Sequence, residues 1–159
     1  MATSDTKAQD EEEDVVIPFV TLETRNQELI DPLPMKVYVQ FNRNVQSGTN
    51  DIQLFLTKLQ SAFDRKREFF ILYDAVAVTS TSRKELSIMD DFLSKNESLS
   101  NRYCKGCAIV IDNQLVLGLV KTAVFFQKKP PFPLKFESKV PKAKEWLKKV
   151  QDLFEKKAD

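Results

Sequence analysis

The sequence contains no histidine, only three glycines and only two cysteines, and each shortage closes off a class of chemistry. Without imidazole the commonest general base is missing, and so are the serine–histidine and cysteine–histidine nucleophile pairs. Acid–base work would fall to carboxylates or lysines. Three glycines supply no loop of the kind whose backbone cradles phosphates, which argues against P-loop or dinucleotide binding. Two cysteines fall short of the roughly four ligands of a zinc site, and neither a metal nor a cofactor is expected. Long hydrophobic runs are also lacking. The longest nearly apolar stretch, residues 115 to 126 ("LVLGLVKTAVFF"), spans about 18 Å as a helix against the roughly 30 Å of a bilayer core. No transmembrane segment is expected.

What is present is enough apolar content, 42% over 159 residues, to build one core without disulfide staples. The net charge of +1 is unevenly spread. Residues 1 to 14 carry Asp5, Asp10, Glu11, Glu12, Glu13 and Asp14 against Lys7, a local net of 1 − 6 = −5, which leaves +6 for the rest. This segment has almost nothing to bury and so cannot offset its ordering entropy. It is expected to be a disordered acidic tail, with a single domain over residues 15 to 159. It has neither the basic start and apolar block of a signal peptide nor the composition of a transit peptide, so the expected location is cytoplasmic.

Periodicity supplies the elements. "VVIPFVTLETR" (residues 15 to 25) reads as an extended segment, which Pro18 directs to a sheet edge. In "MKVYVQF" Val37, Val39 and Phe41 alternate with Lys36, Tyr38 and Gln40, the two-residue period of a half-buried strand. Ile52, Phe55, Leu56, Leu59 and Phe63 mark one face of a helix. Thr49 or Asn50 is placed to cap it, and Asp51 suits its positive end. "FFILYDAVAV" (residues 69 to 78) is a continuous apolar strand, of the kind covered on both faces. Ser82-x-x-Glu85 is a capping box opening a helix from about 83 to the high nineties, with Leu86, Ile88, Met89, Phe92 and Leu93 on its apolar face. "CKGCAIVI" (residues 104 to 111) is a second buried strand. Asp112 or Asn113 caps a helix over 115 to 126, which "KKPPFP" stops. "LKFES" is a short last strand, and Ser138 caps a final helix with Ala143, Trp146, Leu147, Val150 and Phe154 on one face. The order β, β, α, β, α, β, α, β, α implies an α/β fold, a mixed and mostly parallel sheet of about five strands with about four helices.

That order, with "FFILYDAVAV" ending its apolar core in Asp74 and the block "GCAIVIDNQLVLGLVKTAVFFQKKPPFPLKFESKVPKAKEWL", resembles the STAS-like family of sulfate-transporter and anti-sigma-factor-antagonist domains and their SEC14-like relatives. The resemblance covers about residues 15 to 155. It implies a non-catalytic regulatory or binding domain. Phosphoregulated members carry an Asp-Ser-Ser-Gly type motif at the start of the second helix. Here that place holds "STSRKEL" with no glycine, so the phosphoswitch does not carry over residue by residue.

Several groups remain as candidates. If the strand includes Cys104, then Cys104 and Cys107, three apart, point to opposite faces and cannot bond to each other; if it starts at Gly106, the geometry is open. Structural thiols are the plainer reading, with redox or shared-metal roles behind it. Asp74, the carboxylate inside an apolar strand, is more readily a loop tether than a catalytic acid. Thr81, Ser82 and Arg83 sit at a helix start where a phosphate or a modification would be stabilised, and a polar cap is the plainer alternative. The lysine-rich last helix reads as a solvated face, and nucleic acid is not an expected partner. The 115 to 126 segment is apolar on nearly every side, so it is either covered or presents a partner surface. Leu117, Val120, Val124, Phe125, Phe126, Lys128, Lys129 and Phe132 are the candidate partner-binding residues. The expected function is non-enzymatic: a regulatory or scaffolding module that binds another protein or a second copy of itself. The alternative is a carrier of a small hydrophobic molecule or lipid.

Overall fold

The computed structural model describes residues 19 to 25 and 34 to 158; the acidic segment and residues 15 to 18 of the expected first strand lie outside the described residues. Five strands form one sheet in sequential order: β1 (Val20–Arg25), β2 (Met35–Phe41), β3 (Phe69–Asp74), β4 (Cys104–Val110) and β5 (Leu134–Glu137). β1 is an edge strand antiparallel to β2, and the remaining pairs are parallel. The described helices are α1 (Asp51–Phe63), α2 (Arg83–Lys95), α3 (Glu97–Tyr103), α4 (Gln114–Val120), α5 (Val124–Gln127) and α6 (Val140–Ala158).

Sequential parallel strands joined by crossovers of one hand place every crossover on the same face. The core divides accordingly. Phe69, Ile71, Cys107 and Ile109 share a large cluster with Phe55, Leu59 and Phe63 of α1, Val116 of α4 and Phe125 of α5. On the other face Leu72, Ala108 and Val110 pack with Ala143 of α6. β3 is therefore enclosed from both sides, as its unbroken apolar run requires, while β2 keeps Lys36 and Gln40 exposed between buried Met35, Val37, Val39 and Phe41. α6 approaches β4 closely at Gly106, where a Cβ would lie 3.0 Å from Phe70 Cδ1, 3.2 Å from Val150 Cγ1 and 3.3 Å from Leu147 Cδ1.

Some elements differ from the expectations. The third strand stops at Asp74 instead of running to 78, because its buried carboxylate turns the chain: Asp74 Oδ1 accepts from the Val76 N–H at 3.2 Å, and Oδ2 from the Tyr38 hydroxyl at 2.6 Å. The second helix divides at Asn96, whose side-chain Nδ2 donates to the Phe92 carbonyl at 3.0 Å and so ends α2. The 115 to 126 segment divides as well. Thr122 Oγ1 donates to the Leu119 carbonyl at 2.6 Å, and Ala123 is extended. The last helix begins at Val140, so Lys139 and not Ser138 precedes its first residue. Asn50, not Thr49, precedes α1, and it makes no capping bond through its side chain. The Ser82–Glu85 capping box and the Asn113 cap are both present.

Gly106→Ala is expected to cost about 1–3 kcal/mol, the range for overpacking, because the wall facing the new methyl is the packed side chains of β3 and α6. Equilibrium urea unfolding checks it; an unchanged midpoint would mean that α6 moves aside freely.

Candidate functional site

α2 carries the expected apolar stripe, yet none of its residues is fully buried. The reason lies beneath it. Met89, Phe92 and Leu93 reach the large core cluster, but between them and the sheet is a cavity of about 130 Å³, bounded also by residues of α1, α4 and α5. Nine of the chain's twelve phenylalanines border it, so the wall is apolar and rich in aromatic rings. The charged residues that line it are both acidic, Glu85 and Asp90; among the described residues no lysine or arginine does.

Two polar arrangements hold the walls in place. Asp90 on α2 accepts from the backbone N–H groups of Val124 and Phe125, each at 3.0 Å. It thus supplies the cap that α5 lacks of its own and ties α2 to the α4–α5 joint across the cavity. Beside Phe19, Arg43 forms a bidentate pair with buried Asp51, Nη1 to Oδ2 at 2.6 Å and Nη2 to Oδ1 at 3.1 Å. The Gln46 N–H adds a third bond to the same carboxylate at 3.0 Å. The guanidinium also lies over the ring of Phe19, 5.7 Å from its centroid, and Phe19 borders the cavity. The Arg43 hydrogen bonds hold the Asp51 carboxyl below its usual range.

Inside the cavity the polar groups are few. Tyr73 points to the same face as Phe69 and Ile71, as the two-residue period dictates, and it borders the cavity with Cys104 and Cys107. That both cysteines do so is a correction. Phe69 pairs with Cys104 but Phe70 with Gly106, a β-bulge that leaves Lys105 as the extra residue. The bulge restores Cys104 to the face of Cys107, so residues three apart in a strand lie on the same side. Both are free and buried, and the Cys104 thiol donates to the Gly106 carbonyl at 3.5 Å. Burial pushes the Cys104 thiol up to about 12, and Cys107 is raised well above the ordinary range, first by burial and then by Cys104. Both therefore remain thiols near neutral pH and lack the thiolate that redox or nucleophilic work needs.

The candidate partner residues separate into two groups. Phe125 (5% exposed) and Phe132 (9%) face inward and border the cavity, because α5 turns one side to the core. Phe126 and Val120 are partly buried and border it too. Leu117 packs partly against the core. Only Val124 (54%) among the apolar candidates is exposed, and Leu115 (80%), not among them, is more so. Lys128 lies 3.9 Å from Glu97, and Lys129 is exposed with a left-handed backbone, φ 54°. At the other candidate site the Ser82 hydroxyl accepts from the Glu85 N–H at 3.1 Å. Glu85 Oε1 accepts from the Ser82 N–H at 3.2 Å and from the Thr81 hydroxyl at 3.3 Å, and Arg83 is exposed. The helix start is thus already served by a carboxylate, against which a phosphate would have to compete.

No family model and no curated protein matches the chain. Among solved structures it is similar to an uncharacterized protein of the DUF3478 family with a SpoIIAA-like fold, from Shewanella loihica PV-4. The TM-score is 0.56 at 16% identity, over 83% of this chain and 96% of that one. The fold is STAS-like. Within this STAS-like frame the aromatic cavity occupies the crowded face of the sheet, whereas Thr81 to Arg83 lie at the start of α2. No described helix is long and apolar enough to cross a membrane. Tyr73, Asp90 and the Arg43–Asp51 pair were not among the sequence candidates. Of these Asp51 was legible as a residue suited to a helix start, and Tyr73 by its two-residue spacing from Phe69 and Ile71 in β3.

Because the folded-state pKa of Asp51 is lowered, the pair's contribution is fully present above the unfolded carboxylate value of about 3.9 and is lost as pH falls through the folded value. Asp51→Asn is expected to lower the melting temperature at pH 7 by a few degrees, at about 2–4 °C per kcal/mol. The gap to the parent should begin to narrow below about pH 4 and go on shrinking as pH falls; a gap that does not shrink at all on acidification would show that the charge plays no part.

Proposed function

We propose that this protein is a non-enzymatic STAS-like module that takes a small apolar molecule into the cavity between the sheet and α2. The observation that supports this most is the hollow itself, about 130 Å³ walled by nine phenylalanines. A hydrocarbon-lined space of about 150 Å³ holds one benzene, so the occupant is the size of a single ring. An acyl chain is too large for it, and the lipid form of the carrier reading is not supported by this volume. The absence of cationic residues from the described lining also leaves a fatty-acid or phosphate headgroup without a counter-charge. A regulatory role follows naturally, since an occupant that touches α2, α4 and α5 would set how these elements sit on the sheet.

Toluene is a suitable probe. At ten times its dissociation constant it is expected to stabilise the fold by about 1.4 kcal/mol, read as a rise in melting temperature together with amide shifts confined to the cavity wall. Ala75→Leu, which adds three carbons at that wall, should weaken toluene at least tenfold without loss of stability. If toluene leaves the spectrum unchanged, the reading fails.

A second reading, association with another protein or with itself, is favoured by the exposure of Leu115 (80%) and Val124 (54%) on neighbouring short helices. Single apolar side chains at a surface are common, so this has less support. Any self-association seen by sedimentation should fall in a Leu115→Glu, Val124→Glu double variant; an unchanged sedimentation profile removes these residues from the interface.

A further inference from the structure

An apolar hollow alone would accept any hydrocarbon of the right size, but this one contains a directed donor. Tyr73 stands on β3 facing the cavity, and its hydroxyl has no hydrogen-bond partner among the described residues. Tyr73 is half-buried and borders the cavity, and no fully enclosed side-chain nitrogen or oxygen in the described structure lacks a partner, so its hydroxyl is accessible and not sealed in the core. The other polar groups are engaged or weak, except the Ser100 hydroxyl, which also borders the cavity. Asp90 is occupied by the N–H groups of Val124 and Phe125. Glu85 is occupied by Thr81 and Ser82, and the Cys104 thiol is turned to the Gly106 carbonyl. A phenol O–H is both donor and acceptor, and as a donor it suits an oxygen that only accepts. Ketone, ester and ether oxygens accept without donating, and they bring no charge into a wall whose charged residues are both acidic.

We infer that the occupant is a neutral, single-ring molecule bearing one hydrogen-bond acceptor, held by the Tyr73 hydroxyl. The inference rests on the ligand reading above and adds the chemistry of the ligand to it. Neutrality follows from three features together. The described lining has no cation to pair with an anion. A cation would find both carboxylates already satisfied by N–H or O–H donors. An isolated ion taken into an aromatic interior loses far more hydration than such walls return.

The test uses the full chain, unchanged and as the variants Tyr73→Phe and Ser100→Ala, titrated with toluene, cyclohexanone, methylenecyclohexane and cyclohexanecarboxylate and followed by amide chemical shifts. Cyclohexanone and methylenecyclohexane differ only in C=O against C=CH₂. The quantity to read is the ratio of their affinities, because this cancels their shared ring. Tyr73→Phe is expected to reduce the ketone-to-alkene ratio about tenfold, the effect of one hydrogen bond made in an apolar site, while toluene binding stays unchanged. Ser100, whose side chain also borders the cavity, serves as the control, and Ser100→Ala should leave the ratio as it is. An unchanged ratio in Tyr73→Phe, a ratio that collapses instead in Ser100→Ala, or carboxylate binding as tight as the ketone's would each overturn this inference while toluene binding still upheld the cavity reading. If none of the four probes binds the unchanged protein, both fall together.

Discussion

The constraint on which the rest depends is the sequential order of the parallel strands. With β2, β3, β4 and β5 laid side by side in chain order, three crossovers of one hand must all be fitted over the same face, and the opposite face is left to α6. Three crossovers over four strands have more chain than the sheet beneath them can take up in direct contact. The structure resolves this by dividing two of them into pairs of short helices, α2 with α3 and α4 with α5. α2 packs mainly against its neighbouring helices. A helix resting on helices above a sheet leaves a space under it, and the cavity follows from this topology as much as from any one side chain.

Most of this architecture could be read from the residues, because hydrophobic period is a local property. The alternation of β2, the unbroken run of β3 and the stripe of α1 each depend on a few neighbouring positions. What could not be read depends on partners distant in sequence. The division at residues 121 to 123 looks like continuous helix in the sequence, and at the joint Asp90, 34 residues upstream of Val124, supplies two acceptors. Asp51 reads as a helix-dipole residue, yet its energetics are dominated by Arg43, which approaches from the end of β2. The register of Cys104 hangs on a bulge against Phe69 and Phe70, and no periodicity announces a bulge. Of the candidate site, Phe125, Phe126 and Phe132 were picked out for their apolar character. The direction they face was the part that local pattern could not supply.

Tyr73 and the two cysteines show how one irregularity shapes a site. Had β4 run without a bulge, Cys104 would lie on the α6 face, where α6 packs closely against Gly106. The extra residue places the sulfur on the cavity face, while Gly106 stays on the face packed by α6. Burial keeps both thiols protonated, so they contribute soft, weakly polar wall beside the residues that carry hydroxyls there, Tyr73 and Ser100 among them.

A cavity is costly to keep. At about 24 cal/mol per Å³, 130 Å³ corresponds to about 3 kcal/mol forgone, a large share of the roughly 5–15 kcal/mol by which domains are stable. The chain has simple ways to recover it, since the wall includes Ala75 and Ala123 and longer aliphatic side chains at either would occupy the space. It spends polar interactions instead on holding the space open: Asp90 clamps the joint of α4 and α5, and the Arg43–Asp51 pair fixes the rim beside Phe19. Electrostatic bracing around an unfilled aromatic interior makes sense energetically when something else fills it. An occupant that returns even half of the forgone stability would couple its own concentration to the seating of α2, which is the property a regulatory module requires.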